Sequence, residues 1–485
     1  MSDEEESLDP RDWDDTRRRA HRMVDDAIDY LSTVRDRPVW QPMPDAVKAV
    51  FDAPLPQAPG DADAIYRSLM ENVMAYPMGN IHPRFWMWYM GSSNFTGAMG
   101  DFWAAINGSN LGGGNHAAAL VDRQVVDWCK QMLGLPDTAS GTLVSGGSMA
   151  NIIGLAVARN AMADVDLRTL GVAAQQAPLR FYGSDQLHSC HQKAMELMGL
   201  GSRALVKVAS NDDFEMDLAA LAGAVARDRA EGLKPACVIA TAGTVNTGAI
   251  DDLRAVADFC EAEGLWFHVD GCIGALIAIA PENRHRVAGI ERADSVAMDP
   301  HKWLHAPFEV GCALLRDRAA HRGTFSVTPE YLETMARGIA AAEMLHDYGM
   351  QTSRGFRALK VWLSLQEHGV RKFGRLVDRN IAQGALLARL VEDAPALALV
   401  APANINIVCY RYDPGGMAED RLKALNTEIM LRLQESGVAA VSDTTVHGRH
   451  CLRAAINNHR TQDADLELLV AETVRLGDLL APGFA

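Results

Sequence analysis

The segment Asp299-Pro-His-Lys-Trp303 sets a lysine between a histidine and a tryptophan, directly after the apolar run Ser295-Val-Ala-Met298. An isolated lysine is ordinarily a solvated surface group. At a strand end, flanked by rings, Lys302 is expected to be partly desolvated, which lowers an amine pKa and supplies the neutral form that condenses with a carbonyl. Upstream, the apolar run Leu265-Trp-Phe-His-Val269 leads into Asp270. A carboxylate so placed can keep a pyridine nitrogen protonated, although taken alone such an acid is more often a helix cap or a surface group. His188, in Gly183-Ser-Asp-Gln-Leu-His-Ser189, follows the strand pattern Arg180-Phe-Tyr182 and could lie flat on an aromatic ring. Ser145-Gly-Gly-Ser-Met-Ala-Asn151 stands between a strand and a helical run. Its glycines allow close backbone approach, and a helix start with free N–H groups and hydroxyls suits a phosphate.

Each of these segments follows a β-rich run. Candidate strands are Thr142–Val144, Arg180–Tyr182, Ala204–Val208, Ala236–Ala240, Leu265–Val269, Ser295–Met298 and Cys312–Leu315, with helical stretches such as Asp251–Glu261 between many of them. This alternation predicts an α/β fold, a mostly parallel central sheet with helices on both faces. Ligands of such sheets bind beyond the strand ends, where the loops carrying these residues gather. Three regions are expected: an N-terminal helical and proline-rich arm (1–85), a large cofactor-binding domain (86–375) and a small C-terminal α/β domain (376–485). The arm pairs an amphipathic helix over Asp15–Leu31 with a proline-rich connection that cannot pack a core alone, and is expected to lie across another domain or subunit.

The chain has 485 residues, 48% hydrophobic and 22% charged, with a net charge of −16. This is globular composition, and the acidic balance disfavours nucleic acid or an anionic membrane as partner. The apolar runs are too short for a bilayer span, the first residues are acidic rather than basic, and the eight cysteines show no C-x-x-C pair. A cytoplasmic protein with reduced thiols and no zinc site is therefore expected.

A phosphate seat, a stacking imidazole, an acid for a ring nitrogen and a reactive amine together suit pyridoxal 5′-phosphate (PLP), a cofactor that carries its own hard chemistry. His82-Pro-Arg-Phe-Trp, Ser184-Asp-Gln-Leu-His-Ser, Thr241-Ala-Gly-Thr, His268-Val-Asp, Asp299-Pro-His-Lys-Trp and Phe356-Arg-Ala-Leu-Lys-Val-Trp362 stand in one order. From about His82 to the C-terminus the chain thereby resembles the group II PLP-dependent decarboxylases, of the aromatic-L-amino-acid decarboxylase type. The resemblance implies fold type I, a homodimer with the active site at the subunit interface, and an arm wrapped on the partner. It implies that Lys302 binds the cofactor carbonyl, Asp270 pairs with the pyridine nitrogen and His188 stacks on the ring. Gly147, Ser148 and His301 would hold the phosphate with Asp299 nearby, and Thr241 and Thr244 would line the pocket unless they are structural strand-end threonines.

Within Val327-Thr-Pro-Glu-Tyr-Leu332, the resemblance makes Tyr331 the acid that protonates the substrate α-carbon after CO2 leaves. Relatives with Phe there resemble aldehyde synthases, so Tyr331 favours release of an amine. Trp88 and Tyr89 match aromatic side-chain-pocket positions, which points to an aromatic amino acid, although core or interface aromatics would look the same. Asn110-Leu-Gly-Gly-Gly-Asn-His116 and Gly271-Cys272 depart from the family pattern; the glycines could leave room for a larger substrate, or Asn110 and His116 could bind a polar one. Ser353 lies in a region that influences side-chain choice in relatives. The expected activity is PLP-dependent L-amino-acid decarboxylation; the alternatives are an aldehyde synthase or other carbon–carbon lyase on the same fold, or a non-catalytic ligand-binding relative.

Overall fold

Twelve strands fall into two sheets among the described residues of a computed structural model, which are 7–327 and 335–484. β1 (Phe85–Trp86) belongs to the smaller sheet. The larger one contains β2 (Ser140–Val144), β3 (Leu179–Ser184), β4 (Leu205–Val208), β5 (Lys234–Thr241), β6 (Trp266–Asp270), β7 (Ser295–Met298) and β8 (Gly311–Leu315) in the order β2-β8-β7-β6-β5-β3-β4. β8 runs antiparallel to both its neighbours, and the other registered pairs are parallel. β6, β7 and β8 are buried along their whole length, as strands covered on both faces must be.

Because β2, β3, β5, β6 and β7 share one direction, their C-terminal ends lie along one edge of the sheet. Val144, Ser184, Thr241, Asp270 and Met298 are the last residues of these strands. Each expected strand is present, displaced by no more than a few residues. At the start of β4, Ser202–Ala204 form a helical turn before the strand begins.

The smaller sheet joins β1 to β9 (Leu397–Leu399), β10 (Ile407–Tyr412), β11 (Ala440–Val446) and β12 (Arg449–Ala455), in the order β1-β11-β12-β10-β9. β1 pairs in parallel with β11 through Phe85 with Ala440 and Trp86 with Val441. Fully buried Trp86 thereby enters the core of the C-terminal sheet. Part of the arm also belongs here: the Val39 amide donates to the Gly437 carbonyl, and Val39 packs on Phe85 and Ala440. The helix Trp13–Ser32 has no buried residue, leaving Met23, Val24 and Ile28 of its apolar stripe exposed. Among the described residues, no helix is long and apolar enough to cross a membrane.

Candidate active site

A cavity of about 830 Å³ opens at the C-terminal strand edge. It is lined by residues from five strand ends: Ser145 to Ser148 after β2, Asp185 to Cys190 after β3, Thr241, Gly243, Val245 and Asn246 around the end of β5, Asp270 and Cys272 at and just after the end of β6, and Asp299, His301 and Lys302 after β7. Ser442, Asp443 and Arg453 of the C-terminal sheet line it as well. Residues from opposite ends of the chain thus face one space.

Lys302 lies on the short helix Pro300–Trp303, and its Nζ is 2.9 Å from Asp299 Oδ2 and 5.9 Å from the centre of the Tyr89 ring. The expected lowering of its pKa does not occur. Burial opposes the ammonium charge, but Asp299, joined by the neighbouring Cys272 and Asp270, outweighs it, so the amine is held above its ordinary value. The sequence placed the lysine correctly but could not weigh an anion brought to hydrogen-bonding distance against desolvation.

Asp270 is fully enclosed, and burial works against its ionisation. The adjoining His191 and the hydrogen bonds from Cys272 more than compensate, bringing it to about 2. The Cys272 amide donates to Oδ1 at 3.2 Å, and His191 Nε2 stands 3.3 Å from Oδ2. The site therefore contains a buried carboxylate that is anionic at neutral pH and faces a cavity.

His188 is held by the Cys190 amide, which donates to Nδ1 at 3.2 Å. Burial lowers its pKa, so the ring is disposed to be neutral. His301 is fixed the same way by the Val310 amide at 3.1 Å and packs against Phe308 at 4.5 Å, and burial lowers its pKa too. Gly147 opens the helix Gly147–Met162, whose first N–H groups carry the positive end of the helix dipole. A Cβ there would stand 2.4 Å from Cys272 Sγ and 2.7 Å from Asp299 Oδ2, so only glycine lets the backbone pass this close to both.

The remaining expected residues divide. Thr241 lines the cavity, and its buried Oγ1 has no hydrogen-bond partner among the described residues. Thr244 does not line it; its hydroxyl accepts from the Ala249 amide at 3.1 Å and contacts Thr247 Oγ1 at 3.0 Å, tying the loop after β5. Trp88 lines the mouth at 49% exposure, while Tyr89 is buried, receives a hydrogen bond from Asn406 and packs edge-on against Trp303. Asn110 and Ser353 do not line the cavity of their own chain. The Asn110 carbonyl oxygen is occupied by the Gly112 and Arg354 amides, and His116 caps the helix Ala117–Leu133. Tyr331 lies outside the described residues.

Arg453, His191 and Asn246 were not singled out in the sequence. Arg453 donates through Nη1 to the Trp88 carbonyl at 2.7 Å and through Nε to the Asn246 carbonyl at 3.2 Å; its buried Nη2 has no hydrogen-bond partner among the described residues. It stands within a strand far from every motif, so no local signal marks it. His191 was in plain view three residues after His188, but only the fold brings it to Asp270.

Thr241 and Asp299, each with a buried oxygen (Oγ1 and Oδ1) that has no hydrogen-bond partner among the described residues, line this cavity beside an amine, an anionic carboxylate and a glycine-opened helix start. That donor set fits a phosphorylated pyridine aldehyde, and with the doubly covered, mostly parallel sheet it defines a PLP-dependent protein of fold type I. Residues 44–413 match the family described as the pyridoxal-dependent decarboxylase conserved domain, and the chain belongs to that family. It is 32% identical over 462 residues to an aromatic-L-amino-acid decarboxylase of Bacillus atrophaeus, covering 93% of each chain. It is 28% identical to a phenylacetaldehyde synthase of Arabidopsis thaliana over 469 residues, 94% of each. The crystal structure of Oryza sativa TDC with PLP and tryptamine superposes with a TM-score of 0.89 at 28% identity, over 98% of this chain and 100% of that one. The protein is a PLP-dependent amino-acid decarboxylase, a carboxy-lyase.

Proposed function

We propose that the substrate is an L-amino acid with an aromatic side chain, that the product is its amine, and that the working unit is a cytoplasmic homodimer with shared active sites. When bound, PLP supplies the carbonyl that takes up an amine and the ring that accepts the electron pair left when CO2 departs. Lys302 is the tethering amine, and it reacts once it has lost the proton that Asp299, 2.9 Å away, helps it retain. Asp270 holds a proton on the ring nitrogen, a fixed charge placed where electron density arrives. His188 covers the ring face, while Gly147, Ser148 and His301 hold the phosphate and Thr241 a further polar edge. Thr244 acts one step removed, by shaping the loop after β5.

Arg453, a lining cation whose buried Nη2 has no hydrogen-bond partner among the described residues, pairs with the substrate carboxylate, and Trp88 and Tyr89 form the aromatic side of the pocket. Tyr89, backed by buried Trp303, and Phe308 give the cavity an apolar wall, where charge interactions are less screened by water. Tyr331 delivers the proton to the α-carbon. The exposed stripe of helix Trp13–Ser32, which buries no residue in its own chain, supports an arm that lies on a second subunit. Asn110 and Ser353, being outside their own chain's cavity, would act from across that interface.

The observation that carries the proposal is that Lys302 and Asp270, from the ends of two different strands, line one cavity with the Gly147 helix start. A screen of the twenty amino acids for CO2 release, with amine and aldehyde products separated, tests it. Tryptophan, tyrosine, phenylalanine or a hydroxylated relative should be turned over in preference to acidic or aliphatic substrates. Lys302→Ala should abolish turnover together with the visible band of the bound cofactor, and normal turnover in that variant would remove the mechanism. The likeness to a phenylacetaldehyde synthase favours one second reading, oxidative release of an aldehyde. Tyr331→Phe should move product from amine toward aldehyde, whereas aldehyde from the unaltered protein would establish the second reading.

A further inference from the structure

His191 is completely buried, and each of its ring nitrogens faces an oxygen that can only accept. Nδ1 is 2.9 Å from the His188 carbonyl oxygen, and Nε2 is 3.3 Å from Asp270 Oδ2. Nε2 has no aligned hydrogen bond among the described residues, so its nearest acceptor is the Asp270 carboxylate itself. With Nδ1–H committed to the carbonyl, a neutral ring would turn a bare Nε2 lone pair toward an anion. An N–H on Nε2 removes that conflict, and a small rotation of the carboxylate brings it into line.

We infer that His191 is a positioning residue: it bridges the backbone of His188 to the Asp270 carboxylate and holds that carboxylate as an aimed anion for the cofactor ring nitrogen. Oδ1 is already oriented by the Cys272 amide at 3.2 Å, so His191 supplies the second point that fixes the plane of the group. The same contact ties the loop after β3, which carries His188, to the end of β6, which carries Asp270. Cys190, His191 and Asp270 also place donor atoms within 4.8 Å of one another, as a metal site would. Burial pushes the Cys190 thiol up to about 12, so in the metal-free protein it is a neutral thiol beside the His191–Asp270 contact.

The inference rests on the proposed pairing of Asp270 with the ring nitrogen, and the test separates the two. Full-length apoprotein is titrated with PLP and with 1-deaza-PLP, which carries C–H in place of the ring nitrogen. The unaltered protein should bind PLP more tightly than the deaza analogue; equal binding would sink the Asp270 pairing and this inference with it. His191→Leu should weaken PLP binding about tenfold, the worth of one charge-assisted hydrogen bond, and leave deaza-PLP binding unchanged. His191→Gln, which keeps an N–H donor, should restore PLP binding to within about threefold. Equal losses for both ligands in His191→Leu, or no rescue by Gln, would reduce His191 to packing while leaving the Asp270 pairing standing. If His191→Leu does not fold, the unaltered holoprotein decides: a low-field imidazole proton that is absent in His191→Gln is expected, and its absence from the unaltered protein overturns the inference.

Discussion

Replacing Asp299 by asparagine keeps the shape of the side chain and removes the charge nearest the lysine amine. Nζ and Oδ2 are 2.9 Å apart, and the Asp299 side chain is only 2% exposed against 18% for Lys302, so solvent screens the pair little. Two unit charges at that distance attract by about 6 kcal/mol at an effective dielectric of about 20. At about 1.4 kcal/mol per tenfold, complete loss of this attraction would raise the neutral-amine fraction at fixed pH by up to about four powers of ten. Relaxation around the new amide and the residual pull of Asp270 return part of that. Burial, which opposes the ammonium, then acts against a weaker counter-ion, so the Lys302 pKa falls. The assay is the rate at which apoprotein captures PLP covalently, followed by reductive trapping across pH 6–10 (a range on the order of the amine's titration). In the unaltered protein the rate should still be climbing with pH at the alkaline end, because little neutral amine is present below the raised pKa. In Asp299→Asn the curve should move toward acid by at least about one pH unit. Unphosphorylated pyridoxal serves as the second probe, since loss of an anion also favours a phosphate. Superimposable curves, or a displacement seen with PLP and not with pyridoxal, would refute the assignment of Asp299 as the group that sets the state of the lysine.

Gly147→Ala should weaken PLP retention by tenfold or more, on the order of one lost charged hydrogen bond, because its Cβ would lie 2.4 Å from Cys272 Sγ; adding Cys272→Ala should restore part of the affinity in an equilibrium titration. Gly477→Ala, remote from the cavity, would set a Cβ 2.1–2.5 Å from the Tyr412 ring. It should lower the urea midpoint by the equivalent of about 1–3 kcal/mol while PLP titrates normally into the folded fraction. Asp270→Ala should lose most of the turnover and weaken PLP binding, measured as CO2 release and cofactor dissociation, because no other carboxylate at the end of β6 faces the cavity.

The succession of strands along the chain was legible because each large-sheet strand is a short apolar run ending in a loop. Lys302, Asp270, His188 and the Gly147 segment each follow such a run, so their common edge could be expected once the strands were taken as parallel. Local pattern also located the final β-rich region and its helices. It gave no sign of β1, because two residues make no period, nor that β8 reverses direction, because pairing direction is decided by the partners and not by the strand's own residues.

Side-chain partners lay still further from view. Thr241 and Thr244 read alike in sequence, but one lines the cavity with its buried hydroxyl unpartnered among the described residues and the other closes a loop. Asn110 looked like a pocket residue, but its carbonyl oxygen is used by two backbone amides. The sequence by itself determined which chemical groups stand at the strand ends, since residue type and apolar periodicity are local properties. The tertiary structure alone decided their charge states and neighbours: that Asp299 holds Lys302 charged, that His191 meets Asp270, and that Arg453 arrives from the other sheet. Electrostatic energy depends on distances of a few ångströms between residues far apart in the chain, and those distances exist only after folding.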